Sequence, residues 1–244
     1  MRLVTERLRL DAATGTRFLA RGIDPARGAL DAPDALASFH RADLLAGAEA
    51  LTAATFSAVN AEAFDAAIRV AFEVAQGRPV FASLSPMFDE DELARRAERA
   101  RRLGARPMLE TFTAPPFLLR CVRRLAGEDL VASYCPIEDV SFDVPALRAA
   151  GAAVVGVNCG TAFERGGYDR FIDEARAAVS SGPTLFRPSV GLPDAPLTVR
   201  TFADGFAQAE AAGVRWFGAC CGGHDAYLEA AYGTLSTRTP GGAV

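Results

Sequence analysis

The chain has 244 residues, of which 50% are hydrophobic, and a formal net charge of −4 at pH 7. This length and hydrophobic content suit one large core, and the absence of a long basic run argues against a nucleic-acid partner. No apolar run approaches the ~20 residues of a membrane span, and the charged start lacks the apolar segment of a signal peptide. We therefore expect a cytoplasmic protein with no membrane partner.

The basic residues and the cysteines narrow the chemistry further. All 26 basic residues are arginine, which excludes catalysis through a lysine Schiff base. Five cysteines, an odd number, do not form the disulfide framework of a small secreted domain in a chain of this length.

Short apolar runs alternate with helical patterns along the chain. In chain order, strands are predicted at 8–10, 49–57, 78–86, 106–112, 130–136, 153–159, 183–191 and 214–220, and helices at 33–46, 61–76, 89–102, 115–126, 144–150, 168–179, 197–212 and 225–232. The third helix has acids in its first turn and arginines towards its end, which matches the helix dipole. Eight such units in one domain predict an α/β fold, a single-domain (β/α)8 TIM barrel over residues 1–235. The tail at 236–244 is predicted to be disordered.

Two of the predicted strands end in thiols beside glycine. The run Val214–Phe217 leads into Gly-Ala-Cys220-Cys221-Gly, and the run Ala153–Val157 leads into Asn-Cys159-Gly. Successive side chains of a strand point to opposite faces, so the two adjacent thiols can reach one point only if the chain leaves strand geometry there. Active sites of TIM barrels lie at the C-terminal ends of the strands, and three thiols there predict the beginning of a zinc site.

Other interpretations of these residues stay open. A buried free cysteine often serves only as a small hydrophobic residue, and adjacent thiols can form a redox pair. Cys121 and Cys135 are predicted to be structural. The acids at the ends of the first and fourth strands are either substrate ligands or caps of those strands. The two histidines, His40 and His224, are predicted at the surface or at helix starts.

Two motifs carry a family resemblance. Gly156-Val-Asn-Cys159 and Gly218-Ala-Cys-Cys-Gly222 resemble the zinc-binding signatures of the homocysteine S-methyltransferase family. That family includes betaine–homocysteine and S-methylmethionine–homocysteine methyltransferases and the first domain of cobalamin-dependent methionine synthase. The stretches 10–16, 46–56 and 109–111 resemble its first, second and fourth strands, so the resemblance runs from about residue 8 to 229.

The chain also departs from the family pattern. Ala219 and Gly223 stand where the family usually has Gly and Thr, and the second strand reads Thr52-Ala-Ala-Thr55 in place of Thr-Asn-Thr. The second glutamate that often follows the Glu-Thr motif has no obvious match near Phe117. The Pro and His that often follow the cysteine pair are missing.

The resemblance implies methyl transfer from a donor to the thiol of homocysteine, which forms methionine and belongs to methionine biosynthesis. It implies a Zn²⁺ cofactor whose ligands are Cys159, Cys220 and Cys221, with no catalytic residue beyond the zinc site. The expected substrate-binding residues are Asp11, Glu110, Thr55 and Asn158, of which the two acids face the substrate ammonium. Two alternatives remain: a homocysteine-binding subunit that receives methyl from a corrinoid protein partner, and a non-catalytic barrel that binds zinc and a thiol metabolite.

Overall fold

Residues 7–136, 140–160, 168–192 and 195–235 are described by the computed structural model. The predicted disordered tail at 236–244 lies outside these residues. The strands are β1 (Leu8–Ala12), β2 (Leu51–Ala53), β3 (Val80–Leu84), β4 (Arg106–Phe112), β5 (Val131–Tyr134), β6 (Val154–Cys159), β7 (Thr184–Pro188), β8 (Gly191–Leu192), β9 (Ala195–Pro196) and β10 (Trp216–Ala219). The helices are α1 (Thr14–Leu19), α2 (Gly28–Asp31), α3 (Pro33–Leu45), α4 (Ala61–Ala75), α5 (Glu90–Arg102), α6 (Pro115–Leu125), α7 (Val144–Ala149), α8 (Asp169–Val179), α9 (Val199–Ala211) and α10 (Asp225–Thr234).

Eight of the strands pair in parallel in the order β1-β10-β7-β6-β5-β4-β3-β2. The two ends of this sheet meet at a parallel bridge between Leu10 and Ala50. There the backbone N–H groups of Glu49 and Ala50 donate to the carbonyl of Arg9 at 2.7 and 3.1 Å. Helices lie between successive strands, so the predicted (β/α)8 TIM barrel is confirmed.

An apolar layer fills one end of the barrel. It contains one buried residue from each strand or its immediate start: Leu10, Ala50, Phe81, Met108, Val131, Val154, Leu185 and Trp216. Side chains two residues further along a strand lie on the same face. In the next layer, towards the C-terminal ends, those positions include Ser83, Glu110, Ser133 and Arg187. The barrel interior therefore changes from apolar to polar in the direction of the predicted active site.

The helices cover the outside of the barrel with their apolar faces. Four of them begin at side-chain caps that accept a hydrogen bond from an N–H of the first turn: Asn60 for α4, Asp89 for α5, Asp143 for α7 and Thr198 for α9. Such caps satisfy N–H groups that have no partner within the helix. None of the helices in the described ranges is long and apolar enough to cross a membrane.

Some predicted bounds are wrong. The second strand ends at Ala53, well before Ser57, because the chain turns there and the N–H of Thr55 donates to the carbonyl of Ala53 at 2.7 Å. The seventh strand ends at Pro188, since Gly191 starts a separate antiparallel hairpin of β8 and β9. The short elements α1, α2, β8 and β9 were not predicted, because each is too short to show a periodic pattern.

The contact between β6 and β7 gives a test of the fold. A Cβ atom at Gly156 would lie 2.0 Å from the carbonyl oxygen of Leu185, so Gly156→Ala should lower the free energy of unfolding by about 1–3 kcal/mol or more. A Cβ atom at Gly233 in α10 would meet no other atom within 4 Å, and Gly233→Ala should be neutral or stabilising by up to about 1 kcal/mol. Thermal unfolding of the two variants measures this difference, and equal midpoints would contradict the close packing.

Candidate active site

The three predicted zinc ligands lie together at the C-terminal end of the barrel. The Sγ atoms of Cys159, Cys220 and Cys221 all lie within 4.8 Å of one another, and they form a group that suits a metal ion. The Sγ atom of Cys221 is 3.9 Å from that of Cys159 and 4.0 Å from that of Cys220. Zinc–sulfur bonds of about 2.3 Å in a tetrahedron place the sulfur atoms roughly 3.8 Å apart. The cluster therefore fits zinc, and three thiolates leave one tetrahedral position for another ligand.

The end of β6 turns the first thiol towards this point. Cys159 has a φ of +59°, and Gly160 has a φ of +87°. A positive φ is uncommon for a residue with a side chain and marks a constrained position. A Cβ atom at Gly160 would meet the ring of Phe171 at 2.0 Å, so glycine is required immediately after Cys159.

The end of β10 brings the two adjacent thiols to the same side. The N–H of Cys220 donates to the carbonyl of Pro188 at 2.8 Å, which continues the pairing with β7. The chain then turns, with a φ of +76° at Gly222 and a hydrogen bond of 3.0 Å from the N–H of Gly223 to the carbonyl of Cys220. The chain thus leaves strand geometry at Cys221, as the sequence required for the two thiols to converge.

Polar side chains contact two of the sulfur atoms. The hydroxyl of Ser189 donates to Sγ of Cys159 at 3.5 Å, and the amide of Asn158 donates to Sγ of Cys220 at 4.0 Å. The amide oxygen of Asn158 accepts hydrogen bonds from the N–H of Thr111 and the hydroxyl of Ser133, both at 2.9 Å. Contacts of this kind orient the ligands of a metal.

The three thiols of the cluster differ in how readily they lose a proton. Hydrogen bonds from Cys220 and Cys221 lower the pKa of Cys159, whereas the bonds to Cys159 raise the pKa of each of the other two thiols. Burial opposes negative charge on all three. One thiolate is therefore stabilised by the cluster itself, and the other two thiols stay protonated unless a bound cation offsets their charge.

The two remaining cysteines lie outside this cluster. Cys121 is fully buried in α6, and burial raises its pKa to about 12. Cys135 follows β5, and burial together with the charge of Cys159 raises its pKa to about 11. Neither belongs to the described group that suits a metal.

A cavity of about 220 Å³ opens beside the thiols. Much of its wall is apolar, formed by Ala13, Phe18, Pro25, Ala53, Ala54 and Phe56. Its polar lining includes hydroxyl groups and, next to the thiols, Glu110, Asn158 and Arg187. A small organic molecule in this cavity would contact the thiol cluster directly.

Only two of the four predicted substrate-binding residues line the cavity. Glu110 and Asn158 line the cavity, whereas Asp11 and Thr55 do not. Asp11 is fully buried, and the hydroxyl of Thr55 donates to the carbonyl of Ser83 at 2.8 Å. Direct contacts of Asp11 and Thr55 with a substrate stay predictions, and these positions do not favour them.

Arg187 is a site residue that the sequence analysis missed. Its side chain is only 2% exposed, and its two terminal nitrogens pair with Glu110 at 2.5 Å and with Asp11 at 3.3 Å. Its Nε atom donates to the carbonyl of Ala219 at 3.2 Å. The signal was present in the sequence, because an arginine inside the apolar run Thr-Leu-Phe-Arg-Pro must have a buried partner.

The surroundings of Arg187 keep it charged and in place. Burial alone would lower its pKa, but the charges of Glu110 and Asp11 outweigh that effect and raise it. A Cβ atom at Gly218 would lie 3.2 Å from Cγ and 3.3 Å from Nε of Arg187. The glycine of β10 therefore leaves the space that the arginine side chain fills.

A second buried group of charges lies behind Asp11. The Oδ2 atom of Asp11 is 3.5 Å from Nδ1 of His40, a residue of α3. Asp43 of the same helix accepts two hydrogen bonds of 2.8 Å from Arg17. Burial raises the pKa of Asp43 to about 7, and the charge of Asp11 adds to this effect while Arg17 opposes it.

One of the two predictions for the histidines is wrong. His40 is fully buried, because its ring packs inward from α3 beside Asp11. His224 is the residue before the first turn of α10 and is partly exposed, as predicted.

Comparisons with known proteins give a structural likeness without a sequence match. No family model and no curated protein matches the chain. The metallated homocysteine methyltransferase MmuM from Escherichia coli superposes with a TM-score of 0.74 and 18% identity, over 95% of this chain and 97% of that one. A methyltransferase from Methanosarcina mazei gives 0.61 and 12%, over 94% of each chain. The carboxyl transferase domain of Rhizobium etli pyruvate carboxylase gives 0.54 and 14%, over 98% of this chain and 50% of that one.

At these identities the likeness establishes the fold. The resemblance that the cysteine motifs indicated is confirmed to that extent, since the barrel of a homocysteine methyltransferase matches nearly the whole chain. The same architecture also carries carboxyl transfer in pyruvate carboxylase, and a fold by itself does not fix a reaction.

Removal of one thiol tests the metal centre. We expect one zinc per chain in the wild-type protein and loss of zinc in Cys159→Ala under chelator challenge, because two thiolates bind the ion far more weakly than three. Cys135→Ser is the matched control and should retain its zinc, since Cys135 is outside the cluster. Elemental analysis measures both. Full zinc in the Cys159 variant, or its loss from a folded Cys135 variant, would place the ligands elsewhere.

Proposed function

We propose that this chain, which has the barrel of the homocysteine methyltransferases, transfers a methyl group to the sulfur of a small thiol. The observation that carries the proposal is the convergence of Cys159, Cys220 and Cys221 at the edge of the cavity. A structural zinc site has four protein ligands, whereas three ligands leave a position for substrate. Zinc bound by three thiolates would lower the pKa of a substrate thiol and keep the resulting thiolate nucleophilic.

The residues of the chain supply binding, orientation and exclusion of water. Ser189 and Asn158 fix the positions of two of the thiols. The apolar wall that includes Phe18 and Phe56 removes the acceptor from bulk water, which leaves a sulfur anion less solvated and more reactive. Alignment of the two reactants in this cavity provides the rate advantage of an intramolecular reaction.

The transfer itself needs no general base in the barrel. The acceptor thiol releases its proton to solvent when it binds. Its sulfur then forms a bond to the methyl carbon of the donor as the bond between that carbon and the donor breaks, and the electron pair leaves with the donor. No residue beyond the thiol cluster has to gain or lose a proton in this step.

Homocysteine is the reference acceptor, with methionine as its product, because the Escherichia coli neighbour is named as a homocysteine methyltransferase. An amino-acid acceptor would have to place its ammonium at Glu110, the carboxylate that lines the cavity in the described part of the chain, beside the guanidinium of Arg187. Asp11 does not line the cavity, and it would influence the acceptor only through its ion pair with Arg187. The methyl donor is either a small molecule or a corrinoid protein partner.

A donor and acceptor screen with the zinc-loaded protein tests the function. We expect a methylated thiol, detected by mass spectrometry, from a panel of thiols that includes homocysteine and a panel of donors that includes S-methylmethionine, betaine and methylcobalamin. Cys220→Ala should lower the rate by about 100-fold or more, because it removes a metal ligand. Cys121→Ala, in α6, is the control and should keep its activity.

The other outcomes separate the alternatives. If methylcobalamin is the only donor in the panel that gives a methylated thiol, the result would support a subunit that receives methyl from a corrinoid protein. Binding of thiols to the zinc-loaded protein without transfer from any donor would support the non-catalytic barrel and overturn the proposed enzyme. Equal rates in Cys220→Ala and the wild type would remove the thiol cluster from the reaction.

A further inference from the structure

We infer that Arg187 occupies the place in the cavity where the ammonium of an amino-acid acceptor would bind, so that the acceptor is a small thiol without an ammonium group. The inference rests on the proposed thiol methyltransferase function and specifies the substrate class of the same site. It starts from an internal ion pair: the two acids expected to bind a substrate ammonium are already paired with one guanidinium.

All four carboxylate oxygens of these acids already accept a hydrogen bond. In Glu110, Oε1 accepts from Arg187 and Oε2 accepts from the hydroxyl of Ser83. In Asp11, Oδ1 accepts from Arg187 at 3.3 Å and Oδ2 accepts from the N–H of Thr52 at 2.7 Å. An ammonium that entered the cavity would have to share every carboxylate oxygen of this pair with a donor that is already in place.

The charges around the cavity lead to the same conclusion. Glu110 is the one carboxylate that lines the cavity among the residues that the structure describes. A substrate ammonium at Glu110 would therefore lie close to the guanidinium of Arg187. Two like charges in a partly desolvated cavity repel more strongly than in water. Asp43, the next acid behind the cavity, already pairs with Arg17.

Arg187 has no ready alternative position. Its Nε atom is held by the carbonyl of Ala219 at 3.2 Å, and its side chain fills the space left by Gly218. Its side chain is 2% exposed and lines the cavity. Displacement of the guanidinium would leave it without a partner in a buried place, which is costly.

The rest of the cavity wall suits an acceptor without an ammonium. The part of the wall formed by Phe18, Pro25, Ala53, Ala54 and Phe56 is apolar. Apolar walls with few polar groups bind small ligands mainly through burial. A short thiol with an uncharged tail satisfies this wall and leaves the Arg187 ion pairs intact.

Matched pairs of thiols test the inference. Homocysteine and 4-sulfanylbutanoate differ only in the amino group, and cysteamine and ethanethiol form a second pair without a carboxylate. Isothermal titration calorimetry on the zinc-loaded protein measures the dissociation constants. In the wild type the member of each pair without the amine should bind about tenfold more tightly or better, the effect of burying one charged group without a partner.

Substitution of the arginine should reverse the preference. Arg187→Gln frees Glu110 and Asp11, and the amine-bearing member of each pair should gain at least about tenfold relative to its partner. The comparison of ratios between variant and wild type cancels the difference in acidity between the thiols. Arg215→Gln, an exposed arginine just before β10, is the control and should leave the ratios unchanged.

A second variant covers the case in which Arg187→Gln fails to fold. The double substitution Arg187→Gln with Glu110→Gln removes a buried positive and a buried negative charge together, and its ratios should move towards one. Wild-type protein that binds homocysteine as tightly as 4-sulfanylbutanoate, or unchanged ratios in both Arg187 variants, would overturn the inference while the proposed function stands. Failure of every thiol to bind the zinc-loaded protein would instead overturn the proposed function.

Discussion

The half of the barrel at the C-terminal ends of the strands depends on the ion pairs that Arg187 makes with Glu110 and Asp11. The three residues come from β7, β4 and β1, so their charges link strands that are far apart in the sequence. A buried arginine without partners would be strongly destabilising, and so would either acid. The hydrogen bonds of Ser83, Thr52 and the carbonyl of Ala219 complete this network, and Arg187 and Glu110 line the same cavity as the thiols.

The division of the barrel interior into an apolar and a polar layer explains why the site lies where it does. The apolar layer lies towards the N-terminal ends of the strands, and in it Phe81 packs edge-on against Trp216 at a centroid distance of 5.7 Å. This layer stabilises the barrel and contributes no polar group to the site. The layer above it must satisfy buried charges, and its glycine at 218 is set by the size of a neighbouring side chain. Stability and chemistry thus occupy different levels of the same strands, as in other barrels of this kind.

The convergence of the three thiols was the part of the site that the sequence predicted well, since adjacent thiols beside glycine at the end of a strand admit few arrangements. The acids were predicted as site residues from their place at strand ends, but their partners were not. Whether a carboxylate is available to a ligand depends on what else has been folded against it. Asp11 accepts a hydrogen bond from Arg187 in β7, 176 positions away along the chain, and lies beside His40 in α3.

The sequence by itself determined the order of strands and helices, the barrel and the three thiols, because hydrophobic periodicity, glycines and cysteine spacing are local signals. Only the tertiary structure decided the register in which strands meet, the burial of His40, and the pairing of Arg187 with two acids. These are contacts between distant segments, and they are set by the closure of the barrel and by the need to neutralise buried charge. The selectivity that we propose for the cavity depends on the second set of contacts, and the proposed chemistry depends on the first.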